Sequence, residues 1–537
     1  MAEFRKWFLV LAVVALLTSG AVSANAQPFS CAASAVPPLI RAEGLAELVG
    51  DIVLQCTGTS PGGTANFRVF FSQTVVTSRL LSSGPPVVTE AVLIRDEAPS
   101  GSQVTSAPPY TATTNVYLGQ WSSATPWAVD WLGVPLPAPG SPGIYRIRNV
   151  RVDATALPAS TIPVPLQAFV SISAVTSIPV IPNQVTVAYV TPGLSVSVTR
   201  RSYKQCLSPT AQGAASVTFT ELFASAFRLA PSILPNPGAP YSVPGGVNFT
   251  EHGFAPNPTP SVPLDQTGIA TQATQLIVEL TGVPGGVSSV SFSTTTTGGL
   301  AVTPTSGTIT ISGGSGSVTF TVTGTNTTGT ESLTVDLTPT TLPSSGSVLI
   351  AGNFAPLSTT ATPLATPVPR FRRVYPAVEG MTFGTCRTLL LFPFVTNVAG
   401  WDTGIAISNT SSDPIGTPAQ AAACRLHYYG TPTVAAQTTP VISNGEQLAF
   451  TLSSGGGVVG TTKTCAATGT LQCAAPGFQG YIIAVCDFQF AHAFAFVSDL
   501  GASRVAHGYL ALVIPDRTPR ADGPHGSSNG HGEQLGN

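Results

Sequence analysis

The sequence predicts an all-β fold: tandem β-sandwich (immunoglobulin-like) domains after a signal peptide. Three observations predict it. Charged residues are 9% of the chain, against about 25% in an ordinary soluble domain, and the helix formers Lys and Glu are scarce. Gly (53) and Pro (48) punctuate runs rich in Val, Thr and Ser, the composition of short strands joined by turns. Within many runs apolar residues return at every second position, the period of a half-buried strand. A chain of 537 residues exceeds one hydrophobic core, so several domains follow.

Residues 1–26 read as the signal peptide. Arg5 and Lys6 precede an apolar run from Trp7 to Leu17, and Ala24-Asn25-Ala26 forms a small-residue cleavage site before Gln27. The apolar run falls short of the roughly 20 residues that span a bilayer. No later run is apolar enough, so the mature chain is expected to carry no transmembrane anchor and to be secreted, to the medium, cell surface or periplasm.

Residues 27–198 form an N-terminal β-sandwich region. Alternating runs at 51–56, 67–71, 89–94 and 145–152 are separated by turn clusters at 60–63 and 137–143. Residues 199–354 form a middle β region with an immunoglobulin-like sandwich over about 270–345. There Leu276, Val278 and Leu280, then Val318, Phe320 and Val322, then Leu333, Val335 and Leu337 alternate with a mostly Thr/Ser face. Residues 355–369 are rich in Thr, Pro and Ala and read as a linker. Residues 370–516 carry further strand runs and an Asn444-Gly445 turn, a C-terminal β-sandwich domain. Residues 517–537 are polar and glycine-rich, a disordered tail.

All 8 cysteines follow the cleavage site, and in an exported chain an even number reads as disulfides. Spacing suggests Cys31 with Cys56, Cys465 with Cys473, and Cys424 with Cys486. Cys206 and Cys386 pair by elimination. No C-x-x-C occurs, and Cys424 with His427 lacks a second ligand pair, so zinc is set aside.

Phe392-Pro-Phe-Val-Thr-Asn397, the run Trp401 to Thr410 and the run Gly477 to Ala484 resemble the C-terminal module of uncharacterised secreted β-rich proteins of acidobacterial-type soil bacteria. Val36-Pro-Pro-Leu39 and the run Arg41 to Gly50 resemble the N-terminal module of the same group. The resemblance implies a bacterial surface or extracellular protein and carries over no catalytic residue.

G-x-S-x-G occurs at 58–62 and 526–530, but neither has the strand–turn–helix context of a nucleophile elbow. No HExxH, phosphate loop, dinucleotide fingerprint or EF-hand loop is present, so no cofactor and no metal is expected. The loops at 95–98 and 411–414 offer weak calcium ligand sets. His492 falls in the run Cys486, Phe488, Phe490, His492, Phe494, Phe496; if that run stays extended, these share one face. A desolvated histidine there, with Asp402, Asp499 or Ser408, would make a hydrolase site. Asp96, Glu97, Asp130, Glu221, Glu251 and Glu279 are available as glycosidase carboxylates, with no local pattern selecting a pair. Tyr110, Tyr117, Trp121, Trp127 and Trp131 cluster among Ser, Thr and Pro, and such rings can stack on sugars or simply pack between strands.

The expectation is a secreted or cell-surface, non-enzymatic protein with a structural, adhesive or matrix role. The alternatives are a carbohydrate-binding accessory protein using the Tyr110–Trp131 cluster and a secreted hydrolase with His492 in its site. The expected partners are a polysaccharide or a cell-surface protein. A net charge of −2 gives no electrostatic case for nucleic acid.

Overall fold

The computed structural model describes residues 28–514 apart from 60–61, 98–101, 206, 231–241, 244–246, 249, 257–266, 344, 416, 418, 466–472 and 500–501; beyond 514 it describes Gln534–Leu535. The expected signal peptide and nearly all of the expected tail lie outside the described residues. The described chain is all-β: sheets with two short 3-10 turns, and no α-helix among the described residues.

The N-terminal unit is built on one twelve-stranded sheet. Thr64–Phe71 shows why its strands form: Ala65, Phe67, Val69 and Phe71 point into the core while Thr64, Asn66 and Arg68 face water. The sheet curls around one core that includes Phe67, Trp131, Tyr145 and Val187. Its first strand, Ser30–Ala35, returns beside segment 179–181, where Cys31 N–H donates to Pro179 O (2.9 Å) and Ile181 N–H to Cys31 O (2.8 Å). Val88–Arg95 is buried on both faces, its second face covered by a small cluster with Leu81, Leu118 and Phe254.

The middle unit is a sandwich of a five-stranded and a six-stranded sheet around Phe219, Leu276, Phe320, Leu337 and Ile350. It is wider than the expected 270–345. Strands Leu194–Thr199, Arg201–Lys204 and Ala215–Glu221 join it from one side of the sequence, and Gly346–Ala355 and Val378–Gly384 from the other. The boundaries set at 198 and 354 therefore fall inside strands, and Val378–Gly384, placed beyond the linker, pairs with Gly346–Ala355 and, in parallel, with Arg201–Lys204. Such non-local pairings leave no local signal in the sequence.

Segment 355–369 is not a free linker. Thr271 N–H donates to Val368 O (2.8 Å), Gln272 Nε2 to Pro369 O (2.8 Å) and Leu80 N–H to Leu364 O (3.1 Å). Val368, Arg370 and Phe371 are fully buried, and Phe371 stacks on Phe354 with centroids 4.8 Å apart. A proline-rich strap of this kind is held by what it packs against.

The strap and the two units meet at a buried ionic junction. Arg41 donates from Nε (2.9 Å) and Nη2 (2.6 Å) to Glu47, and from Nη1 to Thr274 Oγ1 (2.9 Å) and Ala226 O (3.0 Å). Its Nη1 also lies 2.8 Å from Glu251 Oε1, and its guanidinium sits 4.7 Å from the Phe371 ring centroid. Arg151 donates to Glu90 (2.8 Å) and Glu251 O (2.5 Å), and Arg228 to Leu39 O (3.1 Å) and Ser225 O (3.0 Å). Arg41, Arg151 and Arg228 face Glu47, Glu90 and Glu251, all six fully buried, a set neutral in sum. Burial disfavours the Arg41 charge, but the carboxylates of Glu251 and Glu47 outweigh it and raise its pKa above the ordinary arginine value. Burial likewise opposes ionisation of Glu251, yet Arg41 and Arg228 hold its pKa below the usual carboxylate value. Isolated charges could not be buried here, so the junction forms only when both units are in place.

The C-terminal unit is a second sandwich. One sheet runs Gln437–Thr438, Cys424–Thr431, Gln479–Cys486, Thr388–Thr396, Leu512–Ile514 and Gln534–Leu535; the other runs Gly455–Val458, Gln447–Thr451, Asp402–Asn409, Ala491–Ser498 and Ala506–Leu510. Leu390, Phe392, Leu426, Phe450 and Phe478 fill the space between. Cys424–Cys486 and Cys465–Cys473 form in this unit and Cys31–Cys56 in the first. Cys386 is disulfide-bonded, while Cys206 lies outside the described residues.

Candidate binding surface

The aromatic cluster of the N-terminal unit is mostly core. Trp131 and Tyr117 are fully buried; Trp131 Nε1 donates to Tyr117 O (3.0 Å), and Tyr117 Oη to Thr114 O (2.6 Å). Tyr110 packs edge-on to Tyr117, centroids 4.9 Å apart, and donates to Leu118 O (2.7 Å). Burial pushes both phenols above their ordinary pKa. Trp121 is half-buried, with Nε1 on Pro126 O (3.3 Å). Only Trp127, 45% exposed, presents a ring to solvent. Rings sealed between strands cannot stack on a sugar, so the cluster is packing and not a platform.

The hydrolase constellation is not assembled. The run from Cys486 to Phe496 is not one strand: Gln479–Cys486 ends at the cysteine, Phe490 takes a positive φ of 63°, and Ala491–Ser498 starts afresh. In the new strand Ala491, Ala495 and Val497 face the core, while His492, Phe494 and Phe496 face outward. His492 is thus half-exposed and pairs across the ladder with Ser408, with no hydrogen bond between the side chains. Asp402 lies six positions along that strand, opposite Ser498, about 20 Å away. Its carboxylate accepts from Ser453 Oγ (2.5 Å), Asn397 Nδ2 (3.0 Å) and Thr403 N–H (2.9 Å). Asp499 accepts from Ser503 N–H.

The carboxylates weighed for glycoside hydrolysis also hold structural partners. Asp130 pairs with Arg68 (2.6 Å), Glu97 with Arg146 (2.6 Å) and Glu279 with Arg373 (2.8 Å). Asp96 accepts from Ile144 N–H (3.1 Å), Glu221 from Phe227 N–H (2.8 Å), and Glu251 belongs to the junction. In the loop 411–414, Asp413 caps its own turn by accepting from Ile415 N–H (2.8 Å). No group of three His, Cys, Asp or Glu that could hold a metal is found among the described residues.

What the fold does expose is a trough on the outer face of the second C-terminal sheet. Phe494 and Phe496 stand 44% and 47% exposed on successive outward positions of Ala491–Ser498. The register sets Phe496 against Gly404 and Phe494 against Ala406, next Thr451 and Ala449, then Gly455 and Gly457. The floor beside the rings therefore rises no higher than a methyl group, except at Thr451. A cavity of ≈ 340 Å³ is lined by Gly404, Ala406, Ala449, Thr451, Gly455 and the two rings. On the far side Phe494 faces Leu510 and Phe496 faces Gly508. At one end of the floor Gln447 Nε2 donates to Ser408 Oγ (3.1 Å), beside His492. None of these outward positions carries a formal charge. Alternation alone groups Phe494 and Phe496; what it omits is the glycine and alanine floor, which comes from two other strands.

No family model and no curated protein matches the chain. Among solved structures it is similar to the serine-rich repeat adhesion glycoprotein Srr1 of Streptococcus agalactiae, at 9% identity over 68% of this chain and 97% of that one, with a TM-score of 0.20. A second is the C-terminal domain of the AgI/II polypeptide BspA of the same organism, at 8% identity over 63% and 97%, TM-score 0.26. A third is the CupB6 tip adhesin of Pseudomonas aeruginosa, at 9% identity over 64% and 99%, TM-score 0.12. Two of the three are described as adhesion proteins. Scores of this size carry no argument about function, which rests on the residues of this chain.

Proposed function

We propose that the protein acts outside the cytoplasm as a secreted or cell-surface protein with an adhesive or structural role, and not as an enzyme. The trough is the observation that supports this best: an open, uncharged aromatic site on one sandwich, in a chain whose other two units are locked together by buried ion pairs. A stiff base with a solvent-facing apolar site is suited to holding a partner at a surface, since ordered contact residues lose little freedom on binding. The disulfides Cys31–Cys56, Cys424–Cys486 and Cys465–Cys473 fit an oxidising compartment, in line with the export signal expected at 1–26. No helix among the described residues is long and apolar enough to cross a membrane. Kinship with the secreted proteins of acidobacterial-type soil bacteria is part of the same proposal.

The test is adhesion of purified full chain to bacterial cells and extracted cell-surface material, measured as retained protein against concentration. Saturable retention is expected, falling severalfold in the Phe494→Ala/Phe496→Ala variant at unchanged circular dichroism. Retention that the double variant leaves intact would remove the trough from the proposal.

A further inference from the structure

We propose that the trough takes a neutral glycan, with the C–H face of a pyranose ring against Phe494 and Phe496 and its hydroxyls toward Thr451, Ser408 and Gln447. This rests on the adhesive reading above and names the ligand class of the same site.

Two observations select a glycan over other occupants, and a third supplies the test. The first is the floor. Asp402–Asn409 is hydrogen-bonded to strands on both sides, so Gly404 and Ala406 leave no backbone edge for a peptide to pair with. A ligand lying there is recognised by side chains alone. The second is chemical mixture without charge. Two aromatic rings lie beside a hydroxyl (Thr451), and a hydroxyl–amide pair (Ser408 and Gln447) stands at one end of the floor; at the other end the carboxylate of Asp402 is buried and taken up by Ser453, Asn397 and Thr403, so the open part of the trough carries no carboxylate, lysine or arginine. An apolar wall with a few polar groups is the general form of a small-ligand site, and a sugar ring presents the matching combination. A charged polymer would leave its charges uncompensated, and an aliphatic chain would leave the hydroxyls without partners.

The third observation is Gly404 itself. Its φ is not positive, and a Cβ built there meets nothing nearer than Phe496 O at 3.9 Å. The fold does not require glycine at this position; a side chain would simply occupy the trough. Strand propensity favours valine over glycine, so Gly404→Val is expected to fill the site while holding or raising stability.

Isothermal titration of the full chain with cellohexaose, mannohexaose, xylohexaose and chitohexaose, and with an oligogalacturonate as the anionic control, tests the proposal. The expected result is saturable binding of at least one neutral hexasaccharide, with affinity indifferent to salt between roughly 0.05 and 0.5 M because no charges are involved. Gly404→Val and Phe494→Ala/Phe496→Ala should each weaken binding about tenfold or more, while Trp127→Ala should leave it unchanged. The thermal midpoint of each variant separates site loss from unfolding. Absence of binding to all four neutral sugars overturns the glycan assignment, as does binding that survives both trough variants. If the sugars fail but adhesion still falls in those variants, the ligand class is wrong and the adhesive function stands. If adhesion survives them, the adhesive role of the trough falls. A dimer in sedimentation that Gly404→Val dissolves would put a second copy of the chain in the trough and overturn the proposal.

Discussion

Glu221 ends the strand Ala215–Glu221 with its carboxylate buried, accepting from Phe227 N–H (2.8 Å) and Glu331 N–H (3.1 Å). Burial raises its pKa from 4.5 to about 7; the charge of Glu331 adds to the rise, and the backbone donors oppose it. The folded chain thus holds this proton more tightly than the unfolded one. Its contribution to stability is complete below pH 4.5 and is lost as pH rises through about 7. Denaturation midpoints of the native chain and Glu221→Gln, followed from pH 4 to 8, should therefore diverge. The native chain should lose stability over that window relative to the variant. Parallel curves would show that the carboxylate is already ionised in the fold. Nothing in the sequence singled Glu221 out from the other carboxylates, because its setting depends on Glu331, 110 positions away.

At the scale of the strand, period-two alternation was legible and the side facing the core was not. Leu276, Val278 and Leu280 are all fully buried, and so are Leu333, Val335 and Leu337, as their pattern implies. In Ala491–Ser498 the larger residues point out and the smaller ones in. The reason lies across the core, where Leu390, Phe392, Leu426 and Phe478 already supply the bulk. A strand read in isolation cannot reveal how much room its partners leave. Ala495→Leu, at a fully buried position, should therefore overpack the sandwich and cost about 1–3 kcal/mol. Phe494→Ser, at a half-exposed one, should cost much less. Urea denaturation of the two variants gives the order, and the reverse order would mean that the strand is turned over. The same blindness hid the trough: Phe494 and Phe496 were visible as a pair, but Gly404, Ala449 and Gly455 become its floor only through pairing of strands distant in sequence.

Across the whole molecule, the scarcity of charge is uneven in space, and the junction is where much of the buried charge is gathered. Composition shows that charges are few and not that Arg41, Arg151 and Arg228 converge with Glu47, Glu90 and Glu251. The chain positions joined range from 41 to 251, and each residue alone reads as an ordinary surface charge. The consequence is cooperative. Arg41 reaches Glu47 within the N-terminal unit and Glu251, Thr274 and Ala226 beyond it, so removing it leaves carboxylates buried on both sides. Breaking one side of a buried pair costs about 3–5 kcal/mol, chiefly because the remaining charge has no water to return to. Arg41→Met keeps most of the volume and deletes the charge. Scanning calorimetry of the native full chain should show residues 28–384 melting as one transition, with the C-terminal sandwich free to melt separately. In Arg41→Met that transition should fall in temperature and divide, the N-terminal and middle units losing the contact that makes either depend on the other. Arg41→Met combined with Glu251→Gln should recover part of the loss, because the set is then neutral again, Arg228 keeping Glu47 (3.4 Å) and Arg151 keeping Glu90 (2.8 Å). A loss below about 1 kcal/mol in the single variant would place water or another cation at the junction and end the case for a locked base.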